Sequence, residues 1–219
     1  MNASVISTLN TVGTGSQRVL VEVLDRDGST VRLDSGPVAT LRDENGSPVM
    51  TATGEEVWLV PNEAVAYAFW VDIPAPETYQ LTIEAGDQDL PPAGFVAVAD
   101  PQQIGPGESA PPIAGSSVTG PAAVVFASAD WCPSDSCQPL IDQVEAAATD
   151  AGIEFIQSEV FANPEAGSES DLELSEDVAN WGIPSQPWLF VVDTSGSVTA
   201  VFEGGVSARE LSDAIAGVS

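Results

Sequence analysis

Two kinds of hydrophobic pattern divide this chain. From Val19 to Val98, apolar and polar residues alternate in short runs, and no run repeats at helical spacing. A period of two puts successive side chains on opposite faces of a strand. Strands are therefore expected at Val19–Asp25, Val38–Arg42, Val57–Val60, Ala66–Ile73 and Tyr79–Glu84. Arg26-Asp27-Gly28-Ser29 and Asp43-Glu44-Asn45-Gly46 read as turns, because Gly accepts left-handed backbone and Asp or Asn bonds the main chain that follows it. Short strands at regular spacing with such punctuation predict an all-β, immunoglobulin-like sandwich over residues 18–99.

Beyond Gly120 the pattern changes to strands alternating with helices. Ala122–Ala127 is an unbroken apolar run of strand length, as in a buried strand. Leu140, Ile141, Val144 and Ala148 recur at helical spacing, which predicts a helix over Cys137–Ala151 that stops at Gly152. Ile153–Phe161 reads as a second strand, and the acidic loop Asn163–Glu173 leads to a short helix around Leu174–Trp181. Trp188–Asp193 and Val198–Phe202 flank the turn Thr194-Ser195-Gly196-Ser197. Ser207, followed three residues later by Glu210 and then by Leu211 and Ile215, is a capping box that opens a last helix. The expected order is β-α-β-α-β-β-α over residues 121–219.

Residues 100–120 hold Pro101, Pro106, Pro111 and Pro112 among Gly and Ser, the composition of a linker with little to bury. Residues 1–17 are small, polar and weakly patterned, and are read as a flexible tether. Met1-Asn2-Ala3-Ser4 does not read as a secretion signal, and the tether suggests an export or anchor segment cut away from the chain.

Composition narrows the function classes. Hydrophobic content of 43% supports a globular protein, but the formal charge of −28 is extreme. The basic residues are Arg18, Arg26, Arg32, Arg42 and Arg209, with no Lys and no His. Such a chain forms no basic patch, so nucleic acid is not an expected partner, and no apolar run reaches membrane-spanning length. The charge reads either as a solubilising surface suited to high salt or as a surface for cations or basic partners; no segment forms a recognised calcium loop. The absence of His also excludes Ser-His, Cys-His and His-metal chemistry.

The chemistry that remains lies in Ala122–Leu140, which holds both cysteines, Cys132 and Cys137, where a strand runs into a helix start. Unsatisfied N–H groups and the dipole at a helix start favour thiolate, whereas Asp130 and Asp135 oppose it. In a regular helix, positions five apart differ by ~7.5 Å in axial rise, too far for a disulfide. The residues from Pro133 to Ser136 must therefore loop, closing on a helix that begins near Cys137. Two readings stand: a dithiol for exchange chemistry, or a disulfide that only pins a loop to a helix.

This order of elements resembles the thioredoxin fold, over about the last hundred residues. The marks are Trp131-Cys132 after the first strand, Ile183 to Pro187 before the third, and Gly204-Gly205 before the last helix. More closely, CxxxxCxP followed by WGxxxxPWLFVVDxxGxVxxxFEG is similar to extracytoplasmic thioredoxin-like proteins of bacteria that carry a β domain ahead of the thioredoxin module. The resemblance implies Cys132 as attacking thiol and Cys137 as resolving thiol, with Cys137-Gln138-Pro139 read alternatively as a degenerate CxP that has Leu140 in the partner's place, and it implies a cis-proline at Pro187 that faces them. It further implies that Trp131, Gln186 and Pro187 contact substrate, with the Gln186 backbone pairing to an extended peptide.

The family departs here in two ways: four residues separate the cysteines rather than two, and Val124, Val125 and Phe126 stand where a buried proton-relaying acid is usual. Trp181 and Trp188 read either as flanks of a peptide groove or as core. Copper chaperones of the SCO type share a spaced cysteine motif, but they need a histidine this chain lacks. The expected partners are a protein thiol or disulfide and a protein bound by the β domain. No cofactor and no metal are expected. The function implied is thiol–disulfide exchange outside the cytoplasm; the alternative is a non-catalytic surface adaptor with a structural disulfide.

Overall fold

A computed structural model describes residues 4–7, 11–85, 88–132 and 135–218. The chain divides into two units, Met1–Pro101 and Gln102–Ser219. In the first, strands β1 (Ser4–Ser7), β3 (Gly15–Leu24), β7 (Ala64–Ile73) and β6 (Glu55–Val60) form one sheet in that order. A second sheet runs β2 (Thr11–Val12), β10 (Ala93–Ala97), β8 (Thr78–Ala85), β4 (Val38–Arg42) and β5 (Pro48–Thr53), with β9 (Gln88–Asp89) beside β8. The period of two is plain in β8, where Tyr79, Leu81, Ile83 and Ala85 are buried and the residues between them are exposed or half-buried. Tyrosine hydroxyls buried with this core are satisfied: Leu33 N–H donates to Tyr67 Oη at 2.6 Å, and Tyr79 Oη donates to Ala75 O at 3.0 Å. Burial pushes the Tyr67 and Tyr79 hydroxyls above their ordinary pKa.

One turn design recurs. Asp25, Asp43 and Asp193 each open the sequence Asp-x-x-Gly-Ser, and each carboxylate Oδ1 accepts the N–H groups two and four residues on, at 2.7–3.0 Å. The glycines Gly28, Gly46 and Gly196 take φ of 83°, 78° and 81°, which other residues adopt only at a cost.

The first strands correct an expectation. The tether expected over residues 1–17 contains β1, β2 and the start of β3, and β1 pairs with Val21–Leu24. β2 joins β10 in parallel, and Val98 N–H donates to Val12 O at 2.8 Å. Ladder hydrogen bonds to one neighbour hold strands at the edge of a sheet, and in β2 Val12 is buried as well. Three further strands, β5, β9 and β10, were not expected; β5 lies at a sheet edge and is largely exposed, so it carries no clear alternation.

The second unit follows the expected order: β11 (Ala122–Phe126), α1 (Cys137–Ala151), β12 (Glu154–Ser158), α2 (Glu176–Trp181), β13 (Trp188–Val192), β14 (Val198–Glu203) and α3 (Ala208–Ala216). The sheet order is β12-β11-β13-β14, with β12 parallel to β11 and the other neighbours antiparallel. That order and those directions are the thioredoxin-like arrangement. Every residue of β11 and β13 is buried, as central strands covered on both faces require. Gly152 ends α1 with φ 69°, and Ser207 and Glu210 form the capping box that starts α3.

The expected linker is bound into this unit. Ile104 N–H donates to Trp181 O, Gly107 N–H to Val198 O and Ala110 N–H to Gly196 O, at 2.8–3.1 Å. Ala114 N–H bonds the Asp177 carboxylate at 3.0 and 3.1 Å, and Ile113 and Val118 are buried. Linker composition signals little apolar surface, but backbone donors and two aliphatic anchors suffice to hold the segment. Gly182 belongs to the same junction: its φ is 66°, and a Cβ there would collide with Gln102 O.

Candidate functional site

The site forms where β11 ends and α1 begins. The helix starts only just before the second cysteine: Asp135 takes φ 52°, Ser136 is the N-cap position, and Leu140 N–H bonds Ser136 O at 3.2 Å. Pro133 and Ser134, part of the expected loop, lie outside the described residues. Cys132 and Cys137 are joined as a disulfide with Cα atoms 5.9 Å apart, so the wider spacing still brings the two sulfurs together.

The two sulfurs differ in their surroundings. Cys137 is fully buried, in a core formed by Ala123, Val125, Leu140, Ile141 and Val144 among others, whereas Cys132 is only partly buried against it. The Cys137 N–H, in the first turn of α1, donates to Cys132 Sγ at 3.1 Å. An N–H donor at a helix start stabilises negative charge on the atom it points to. Cys132, the less buried of the two, is thus the sulfur that an incoming thiolate can reach, and the one whose thiolate the N–H favours once both cysteines are reduced.

The peptide bond Gln186–Pro187 is cis, as the resemblance implied. Pro187 O accepts from Gly204 N–H at 2.9 Å, which ties the turn ahead of β13 to the end of β14. Gln186 turns its side chain toward the cysteine turn. Its Oε1 accepts from Ser128 N–H at 2.7 Å and lies 4.0 Å from Cys137 Sγ; its Nε2 donates to Trp131 O at 2.9 Å. Trp131 is half-buried, and its indole N–H donates to Pro164 O at 2.8 Å, joining the site to the acidic loop.

All five expected residues, Trp131, Cys132, Cys137, Gln186 and Pro187, therefore meet in one place. Trp181 and Trp188 do not flank a groove. Both are buried, Trp181 in an aromatic cluster with Phe126 at 5.2 Å and Phe190 at 4.7 Å between centroids, and Trp188 with its N–H on Ser185 Oγ. Phe126, one of the three residues standing where the resemblance places a buried acid, completes that aromatic cluster.

Sequence reasoning missed Ser128, which is buried and whose hydroxyl meets no partner among the described residues, and Ser185, which donates to Glu203 at 3.4 Å. A polar residue directly after the buried apolar run Ala122–Ala127 was the available signal for Ser128. Among the described residues no group of three His, Cys, Asp or Glu is placed to hold a metal ion. No helix among them is long and apolar enough to cross a membrane.

No protein-family model matches the chain, and no curated protein matches it. Solved structures do. A thio-disulfide isomerase from Thermus thermophilus is 24% identical, over 55% of this chain and 99% of that one, with a TM-score of 0.38. A candidate thiol:disulfide interchange protein, DsbE, from Chlorobium tepidum is 16% identical over 51% and 93%, with a TM-score of 0.35. The filamin domain of Lin-41 is 14% identical over 45% and 94%, with a TM-score of 0.29. These scores are low, and the fold rests on strand order and register instead.

Proposed function

We propose that this protein carries out thiol–disulfide exchange through the Cys132–Cys137 pair, acting on protein thiols outside the cytoplasm. The observation that carries the reading is the asymmetry of the pair: a partly exposed Cys132 that receives a helix N–H at 3.1 Å, and a fully buried Cys137 behind it. A substrate thiolate reaches Cys132 first, forming a mixed disulfide while Cys137 leaves and takes up a proton; in the other direction Cys137 resolves that bond. Trp131 and the cis-proline turn at Gln186 and Pro187 would then border the bound peptide. The β unit, read as an immunoglobulin-like sandwich, spaces this site from its attachment or docks a partner. A disulfide-permissive compartment fits the oxidised pair.

A second reading has its own support. Val124, Val125 and Phe126 stand where the resemblance places a buried acid, and the turn is closed by Trp131–Pro164 and by Gln186, which suits a structural disulfide in a binding module. The equilibrium reduction potential of the pair separates the two, measured by thiol trapping and intact mass across a dithiothreitol series in high salt. A value within ~−120 to −270 mV is expected for exchange. A value below about −300 mV, or a bond that opens only when the unit unfolds, would move the function to binding.

A further inference from the structure

The Gln186 side chain does more than the sequence resemblance asks of it, which concerned its backbone. Its amide nitrogen and oxygen grip the two ends of one short segment, Ser128 N–H at 2.7 Å and Trp131 O at 2.9 Å, and that segment leads directly into Cys132. The same Oε1 lies 4.0 Å from the Sγ of Cys137, which sits in the first turn of a different element, α1. One carboxamide therefore touches the approach to the first cysteine and the sulfur of the second.

We infer that Gln186 is a positioning residue that latches the Cys132 segment against Cys137 when the disulfide is open. The inference rests on the exchange function proposed above. While the disulfide is closed, a covalent bond holds the sulfurs together and the latch is redundant. When a substrate dithiol reduces the pair, its first thiolate bonds to Cys132 Sγ. The Cys132–Cys137 bond breaks, its electron pair stays on Cys137 Sγ, and a solvent proton neutralises it. The second substrate thiolate then displaces Cys132, so that the substrate leaves as a disulfide and both cysteines are reduced. Four residues now separate two free sulfurs, twice the separation in the usual motif, and a longer loop lowers the effective concentration of one thiol at the other. The two Gln186 hydrogen bonds persist through the opening because neither involves a sulfur. The Oε1 also offers the new Cys137 thiol an acceptor, keeping it beneath Cys132 and ready to resolve a mixed disulfide. In this chain a side chain from the cis-proline turn thus compensates for a long cysteine spacing.

The test uses the full chain and compares the parent with Gln186→Leu and Gln186→Met, which remove both hydrogen bonds; the second also keeps the side chain's length. Reduced protein is mixed with dithiobis(nitrobenzoate), whose thiol is coloured on release. The first release reports attack and the second, independent of reagent concentration, reports resolution by the partner cysteine. Both variants are expected to resolve about tenfold more slowly with the first release unchanged. Their disulfide-to-dithiol equilibrium is expected to fall about tenfold, a potential ~30 mV less negative for a two-electron couple. Gln138→Met, which removes an exposed carboxamide bonded to Asp142 on the same helix, should match the parent. If a folded variant resolves as fast as the parent and keeps its potential, Gln186 is no latch. A parent whose disulfide stays closed to dithiothreitol in the folded state overturns the exchange function and the latch together, whereas a parent that exchanges alongside unchanged variants overturns the latch alone.

Discussion

In the β unit, Asp25 and Asp43 each close a turn within five residues, by accepting two backbone N–H groups from the turn they begin. In the α/β unit the turn that ends at Cys137 is held by Gln186, 49 residues further along, and by Pro164, 33 residues beyond Trp131. Asp193 shows that the local design also exists in the α/β unit, at the hairpin between β13 and β14. The difference therefore lies in what a turn does. Turns that only reverse the chain are complete in themselves, and the turn that carries the disulfide depends on distant groups. Local closure survives changes elsewhere; distant closure makes the geometry of the sulfurs answer to the whole fold.

The contrast sharpens at two crowded glycines. Gly182 has left-handed backbone and faces the backbone of Gln102, which has nowhere to go. Gly182→Ala should cost ~3 kcal/mol or more, from left-handed strain plus overpacking. Gly54 in the β unit meets side chains, the Phe69 ring and Pro37, each 2.8 Å from a Cβ. Gly54→Ala should cost ~1–3 kcal/mol. Urea denaturation of the full chain, followed by tryptophan fluorescence, checks the order; a Gly54 variant that loses more than its Gly182 counterpart would reverse the comparison.

Next in size is the local turn. Asp43→Ala leaves the N–H groups of Asn45 and Ser47 to water and should lower stability by ~1 kcal/mol, because both are exposed and water replaces the carboxylate. The loss should appear in the denaturation midpoint of the β unit with the reduction potential of the cysteine pair unchanged. A shift in that potential would show that the two units do not behave separately.

The smallest effects concern acid and have opposite signs. Burial raises the Glu22 pKa, so the folded state favours the protonated carboxyl. Its contribution is fully present below the ordinary glutamate value and is lost as pH rises through the raised one. The Ser195 hydroxyl first, and then the Ser197 N–H, hold Asp193 below its ordinary pKa. Its contribution is present above the ordinary aspartate value and is lost as pH falls through the lowered one. Relative to the parent, Glu22→Gln should flatten a gain in stability on acidification, and Asp193→Asn should flatten a loss. Denaturation midpoints across the carboxylate range test this, and slopes of the same sign for the two variants would refute it.

Much of the fold is legible along the chain because its causes are local. The alternation in β8, the helical spacing of Leu140, Ile141, Val144 and Ala148, the Ser207–Glu210 box and the three Asp-x-x-Gly-Ser turns each act within a few residues, and each produced the element expected of it. The edge strands β1, β2 and β5 were illegible for the converse reason: pairing with a neighbouring strand defines them. The attachment of residues 102–120 was hidden likewise, since it depends on Trp181 O, Val198 O and the Asp177 carboxylate. At the site, the residues themselves nominated Cys132 and Cys137, and the resemblance to the thioredoxin fold added Trp131, Gln186 and Pro187. Only the tertiary structure decided that Cys137 is the buried sulfur, that Trp181 and Trp188 are core, and that the Gln186 side chain reaches both cysteines' surroundings. Burial and long-range hydrogen bonds depend on which distant segments meet, and a one-dimensional pattern carries that information only where the meeting segments repeat a period.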